Sequence, residues 1–236
     1  MSPKPLALIL GAGSNNGAAL TTTFLSLGYQ IALASRSGTN PSPSSSSEDI
    51  LSLQADFSSP SSIPSLFSRI RSELHTSPSV VVYNAAALTP PPDKDSVLSL
   101  PVDQFVKDLN VNSVSPYVAA QEAVRGWEEL GEVQGVNKTF IYTGNKLNET
   151  ILPVGDLITL GVGKNASAYW IGLADELYKS KGYRFFYADQ RQPDGSPMGT
   201  AIDGPAHADF FAQLVKRTGQ VPWQATFVQG KGYVKF

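Results

Sequence analysis

Short, nearly unbroken apolar runs recur along the chain, and stretches with apolar residues every three or four positions lie between them. The runs are Leu6–Leu10, Tyr29–Ser35, Ile50–Asp56, Ser79–Tyr83, Thr139–Thr143 and Arg184–Ala188. Runs of this kind read as strands buried on both faces of a parallel sheet. A last strand is expected over Thr226–Val228 with Gly232–Val234. Helical spacing covers Ala18–Leu27, where Gly28 supplies a stop, and Ile63–Leu74. It also covers Phe105–Glu129, as one long helix or two joined ones, and Ala166–Lys179. Strands alternating with helices predict an α/β chain: a doubly wound parallel sheet of about seven strands with helices on both faces. No internal repeat and no convincing linker divides residues 1–236, so a single domain is expected.

The first apolar run stops at Gly11-Ala12-Gly13-Ser14-Asn15-Asn16-Gly17, and this turn opens into the first helix. Gly11 allows a sharp exit from the strand. Gly13 keeps side chains away so that backbone can approach a ligand, and Gly17 lets helix and strand pack closely. Free N–H groups and the positive end of the helix dipole then favour a phosphate above the turn. The outline is that of a dinucleotide-binding turn, although the spacing is not G-x-G-x-x-G. The second strand ends at Ser35-Arg36-Ser37. An acidic residue at that place would bind ribose hydroxyls and select NAD; an arginine between serines suits a 2′-phosphate. NADP is therefore favoured over NAD.

Composition narrows the chemistry. There are no cysteines, so disulfides, thiolate metal sites and a cysteine nucleophile are excluded. The two histidines, His75 and His207, are too few for a multi-histidine metal site, and no metal is expected. A net charge of −2 without clustering gives no nucleic-acid footprint. Met1-Ser2-Pro3-Lys4 carries no signal-peptide pattern and no apolar run is long enough for a bilayer, so a cytoplasmic protein without membrane contact is expected. The sequons at Asn137, Asn148 and Asn165 then read as chance matches. Residues 39–48, rich in Pro and Ser, read as an irregular loop where a crossover helix would be usual.

In their order these motifs resemble the short-chain dehydrogenase/reductase family over nearly the whole chain, which implies a Rossmann-like fold. The glycine turn is the family's first motif in variant form, with Leu10 where a threonine is common and Asn15 in place of the middle glycine. Asp56, followed by Phe57, falls where an acid binds the adenine. Tyr83-Asn84-Ala85-Ala86 resembles the Asn-Asn-Ala-Gly motif after the fourth strand, and Asn112 falls on the active-site asparagine. The phrases Tyr142-Thr143-Gly144-Asn145, Leu160-Gly161-Val162-Gly163-Lys164 and Gly230-Lys231-Gly232-Tyr233 are similar to a divergent branch found in fungal genomes.

The resemblance implies hydride transfer between a nicotinamide and a carbon bearing oxygen. A tyrosine normally moves the proton, with its pKa lowered by a lysine four residues on. Here the lysine, which the resemblance implies also holds the nicotinamide ribose, falls on Lys164, but the tyrosine position holds Leu160, which carries no proton. Thr143 takes the place of the substrate-orienting serine, with Gly144 there if the alignment shifts by one. A literal Tyr-x-x-x-Lys does occur at Tyr142 and Lys146, but residues four apart on a strand stand about 13 Å apart and do not stack. Tyr83, Tyr169 and Tyr187 are other hydroxyls that the fold could bring in. Where the family has Pro-Gly after the sixth strand, this chain has Ala188-Asp189-Gln190-Arg191. Residues 189–209 resemble the substrate lid, with His207 as a substrate contact. The resemblance also implies a homodimer or homotetramer built through the two long helices.

Three functions remain open on these residues. The first is NADPH-dependent reduction of a small carbonyl or imine substrate with a rearranged acid/base. The second is a degenerate nucleotide-binding sensor or partner protein. The third is a non-redox enzyme on the same frame.

Overall fold

The computed structural model describes residues 4–39 and 49–236. Eight strands form one sheet in the order β3-β2-β1-β4-β5-β6-β7-β8. They are β1 (Leu6–Leu10), β2 (Gln30–Ser35), β3 (Ile50–Gln54), β4 (Val80–Tyr83), β5 (Lys138–Thr143), β6 (Tyr183–Gln190), β7 (Gln224–Val228) and β8 (Gly232–Tyr233). The first seven run parallel; β8 folds back antiparallel on β7. The expected single last strand is thus a short hairpin, turned by Gly230 at φ 72°, and the sheet has eight strands instead of about seven.

Side chains alternate along each strand and fill two cores. Leu6, Leu8 and Leu10 of β1 point to one face, Ala7 and Ile9 to the other. The first core is closed by α2 (Ser62–Leu74), α4 (Ser115–Leu130) and α5 (Ile158–Tyr178), and Trp127 at its centre donates from Nε1 to the Pro78 carbonyl. The second is closed by α1 (Asn16–Ser26) and α6 (Gly204–Lys216) through Phe24, Phe210, Phe211 and Leu214. The chain leaves β1 toward β2 on one side and returns to β4 on the other. The strand order reverses beside β1, and the crevice at the C-terminal strand ends opens there.

One element takes an alternative that the periodicity reading left open, and two depart from that reading. The Phe105–Glu129 stretch is two helices, α3 (Val102–Leu109) and α4, joined by a π turn over Asn110–Val114. Helix α5 begins eight residues before Ala166. Its glycines are tolerated because Gly163 packs on the π turn, where a Cβ would lie 2.3 Å from Asn112 Cβ. The 189–209 stretch is not one loop. Residues 189 and 190 end β6, Arg191 bridges Pro197, and α6 starts at Gly204 behind an Asp203 cap that accepts from Ala206 N. The 39–48 loop lies outside the described residues apart from Thr39. Among the described residues no helix is long and apolar enough to cross a membrane.

Candidate active site

Gly11 adopts φ +90°, and a Cβ there would lie 2.4 Å from the Ala85 backbone, so the turn accepts no side chain at that point. Gly17 is equally tight against Ala12. Gly13 differs: a Cβ on it meets no protein atom within 4 Å, and space remains above the turn. Ser14 is exposed and Asn16 is buried. Asn15 turns its amide away from that space. Its Nδ2 donates to the Ile202 carbonyl and its Oδ1 accepts from Gly204 N, which ties the turn to the start of α6.

Asn84 is the hub beside the turn. Its backbone N donates to Leu10 O and its Nδ2 to Gly11 O, while its Oδ1 accepts from Asn16 Nδ2 and from the Thr143 hydroxyl. Ala85 N also donates to Leu10 O, and Ala86 is exposed. Glycine turn, β4 end and β5 end are therefore one hydrogen-bonded unit. Arg36 lies exposed at the end of β2, with the Ser35 and Ser37 hydroxyls 3.2 Å apart on either side of it. Asp56 is exposed, and bonds from Ser58 N and Oγ hold its carboxyl below the usual range. The Phe57 ring is buried edge-on against Tyr83, so its side chain belongs to the core.

Tyr142 is not placed to transfer a proton. It is fully buried, stacked between Tyr83 and Tyr187 of the neighbouring strands, and donates its hydroxyl to Asn112 O at 2.7 Å. Burial raises its pKa above that of a free tyrosine. Lys146 points elsewhere, to Gly195 O. The pair is split because strand pleating sends Tyr142 into the core while the chain turns after Thr143. Tyr83 and Tyr187 are likewise buried, with hydroxyls committed to Val111 O and Asn145 O, and Tyr169 is 78% exposed on the outer side of α5. Gly144 has no room for a side chain, since its Cβ would strike the Tyr187 ring. His207 is 1% exposed, wedged edge-on against Phe211 and Phe227, with Nδ1 facing Asp203 O; it is a core residue instead of a substrate contact.

Asn112 sits in the π turn and is fully buried. Its side chain bonds both N and O of Ala87, and its carbonyl accepts from Tyr142 and Ser167. It braces the loop after β4. Lys164 is 4% exposed. Its Nζ donates to Thr143 O at 2.6 Å and lies 4.3 Å over the centre of the Tyr142 ring. Burial pushes its pKa down to about 7, opposed by the charge of Asp189. One helical turn earlier, half-buried Leu160 offers nothing to exchange a proton.

The end of β6 and the residue after it hold groups that the sequence reading left without a role. Asp189 is 2% exposed and accepts from Arg191 Nε, and burial lifts its carboxyl to about 6. Arg191, also buried, donates to Glu149 Oε1 at 2.9 Å and to Gly195 O. Gln190 Oε1 accepts from Asp203 N, while its Nε2 is buried without a partner. A polar Asp-Gln-Arg run directly continuing an apolar strand was the visible signal.

No family model matches the chain. It is 41% identical to the short chain dehydrogenase/reductase dmxR12 of Cryptosporiopsis sp. (strain 8999), over 99% of this chain and 95% of that one. Solved structures share the fold at lower identity. A 3-ketoacyl-(acyl-carrier-protein) reductase of Brucella melitensis, complexed with NADH, superposes with a TM-score of 0.77 at 17% identity, covering 97% of this chain and 99% of that one. A metagenomic short-chain oxidoreductase in complex with NADP gives 0.75 at 15%, covering 95% and 96%. A short-chain dehydrogenase/reductase of Serratia marcescens gives 0.73 at 19%, covering 96% of each chain. With a relative so similar along its whole length, and with the Rossmann-like sheet and glycine turn in place, the chain belongs to the short-chain dehydrogenase/reductase family.

Proposed function

We propose that the chain is an NADP-dependent oxidoreductase that reduces a small carbonyl or imine, with Lys164 in place of the missing tyrosine as the proton donor. The observation that carries this reading is the hydrogen-bonded unit of glycine turn, Asn84, Thr143 and Lys164 at the point where the strand order reverses. A dinucleotide fits these residues. The space above Gly13 admits a pyrophosphate, and the first N–H groups of α1, from Asn16 onward, have no carbonyl within the helix to bind. Ser14 and the backbone of Asn15 and Gly17 complete that cradle. Ser35, Arg36 and Ser37 would hold the 2′-phosphate. Asp56 and the backbone beside Phe57 would meet the adenine, and Asn84, Ala85 and Ala86 would flank the ribose. The orphaned Gln190 Nε2 gives the β6 end a free donor. When bound, the cofactor supplies hydride to the substrate carbon.

The remaining chemistry falls to the protein. Charge develops on the substrate oxygen, and a donor must be ready for it. The Tyr83, Tyr142 and Tyr187 hydroxyls are committed to carbonyls, and Leu160 has none to give. Lys164, with a pKa of about 7, breaks an N–H bond toward that oxygen and then takes a proton back from solvent. Thr143, its hydroxyl donated to Asn84 Oδ1, holds the β5 end beside that oxygen, and Asn112 keeps the floor rigid. Leu160 favours a second reading, a nucleotide-binding sensor without turnover. Under either reading we place the protein in the cytoplasm as a homodimer or homotetramer.

Thermal unfolding with and without nucleotide tests the cofactor assignment. A ligand at about a hundred times its Kd adds about 2.7 kcal/mol, a rise of about 5–10 °C for a chain of this size. NADPH is expected to give this shift and NADH a smaller one. Arg36→Ala should weaken NADPH about 10- to 100-fold, as for a lost charge-assisted bond, and leave NADH unchanged. No shift with either nucleotide overturns the reading. Equal shifts that Arg36→Ala leaves intact overturn the 2′-phosphate assignment.

A further inference from the structure

We infer that Gly161 opens a subsite beside Lys164 for an aromatic ring carried on the carbonyl or imine carbon of the substrate. This rests on the reading of Lys164 as the acid and narrows the substrate class of that reading. Helix α5 contains three glycines, Gly161, Gly163 and Gly172. Two of them have a packing reason. A Cβ on Gly163 would lie 2.3 Å from Asn112 Cβ, and one on Gly172 would lie 2.8 Å from the Trp223 ring. Gly161 has no such reason: its φ is not positive, and a Cβ there meets no protein atom within 4 Å. A helix interior disfavours glycine, so neither packing nor backbone conformation accounts for this one. What glycine provides here is bare backbone that a ligand can approach closely.

The neighbours of Gly161 place that backbone in the candidate site. With about 3.6 residues per turn, Gly161 stands about 60° round the helix from Lys164 and about 40° from Asn165. Lys164 faces the end of β5, where its Nζ donates to Thr143 O. Asn165 faces the loop after β5: its Nδ2 donates to Leu147 O at 2.6 Å and to Gly161 O at 2.9 Å. The bare backbone therefore lies between the proton donor and that loop. The exposed outer side of α5, at Val162 and Tyr169, points away from it by about 80–100°. Leu160 precedes Gly161 and Leu157 lies one turn before it, both half-buried. Side chains on a helix lean toward its N-terminus, so the space over Gly161 opens on the Leu157 side. The subsite thus combines a flat floor, two leucines and one cation at its edge. A planar apolar ring matches it: thin enough to lie on backbone, and large enough to take the leucines out of water. A methyl group in the same place would leave most of that surface wet.

Benzamide and acetamide test the subsite. Both carry a carbonyl that a nicotinamide does not reduce, and they differ by a ring in place of a methyl group. Binding to the full chain is followed by saturation-transfer NMR, with and without NADPH. Benzamide is expected to bind at least about tenfold more tightly than acetamide, as for a largely buried ring. Gly161→Leu covers the floor and should weaken benzamide about tenfold, while acetamide binding and the NADPH-induced rise in unfolding temperature stay as in the wild type. Gly161→Ala should weaken benzamide about threefold and raise the unfolding temperature of the free chain, because alanine suits a helix. Benzamide binding no tighter than acetamide, or left intact by Gly161→Leu, overturns the inference. If Gly161→Leu does not fold, Gly161→Ala decides: weakened benzamide with an unchanged NADPH shift supports the subsite, and undiminished binding removes it. A ring preference that depends on Gly161 but comes without any NADPH shift leaves the subsite standing and removes the cofactor assignment. An NADPH shift without a ring preference does the reverse. Neither amide is reduced, so the outcome is independent of which group donates the proton.

Discussion

Lys164 determines how this site responds to pH. Burial holds its pKa at about 7, against 10.5 for an ordinary lysine. Between these values the unfolded chain binds a proton that the folded chain does not, so this group makes stability rise with pH from about 7 to about 10. Below pH 7 both states are protonated and the full cost of burying the ammonium remains. Lys164→Met should remove this slope, so that the variant's unfolding temperature gains on the wild type's as pH falls from 10 to 7. A difference that stays constant across that window contradicts a buried, depressed lysine. At this scale much was legible. Leu160 stands in the sequence where the resemblance implies a tyrosine, and the spacing along a strand was enough to separate Tyr142 from Lys146. The commitment of the Tyr83, Tyr142 and Tyr187 hydroxyls was not legible, because each acceptor is a backbone carbonyl on another element.

Helices α4 and α5 illustrate where periodicity succeeds and where tertiary contact overrules it. The start of α5 was hidden by Gly161 and Gly163, which weaken a helix in isolation. Packing of Gly163 on Asn112 and the Thr159 hydroxyl bonded to Asp108 hold that first turn in place. Helix α6 was hidden because a substrate lid was expected there, although Asp203, Pro205 and the spacing of Phe210, Phe211 and Leu214 are ordinary helix signals. On its outer side α5 carries Val162, Tyr169, Leu173 and Leu177, all exposed and spaced seven, four and four residues apart, with exposed Val114 and Tyr117 on the neighbouring α4 segment. A continuous apolar stripe of this kind fits a second copy of the same surface. Light scattering of the purified chain should therefore give a dimer, and Tyr169→Glu with Leu173→Glu should give a monomer. A wild-type monomer would contradict the pairing.

The whole molecule brings together what the sequence keeps apart. Apolar runs predicted the parallel sheet, because strands buried on both faces need no polar alternation. The cofactor frame was readable from the same pattern, since each motif sits at a strand end and the strand order places all of those ends along one edge. The Asp189–Arg191–Glu149 cluster was not readable, because Glu149 meets Arg191 from 42 residues away and only folding joins them. Under the proposed reading, binding and proton transfer rest on different parts of the chain: the glycine turn, Arg36 and Asn84 for the first, Lys164 for the second. The most direct measurement of their union is NADPH oxidation, followed by absorbance, against a panel of small carbonyl and imine compounds. The wild type and Tyr142→Phe are expected to consume NADPH with the same substrates, while Lys164→Met, compared at saturating NADPH, loses at least about a hundredfold in rate, as for removal of a general acid. Turnover by Lys164→Met equal to that of the wild type, or loss of turnover in Tyr142→Phe alone, would contradict the account.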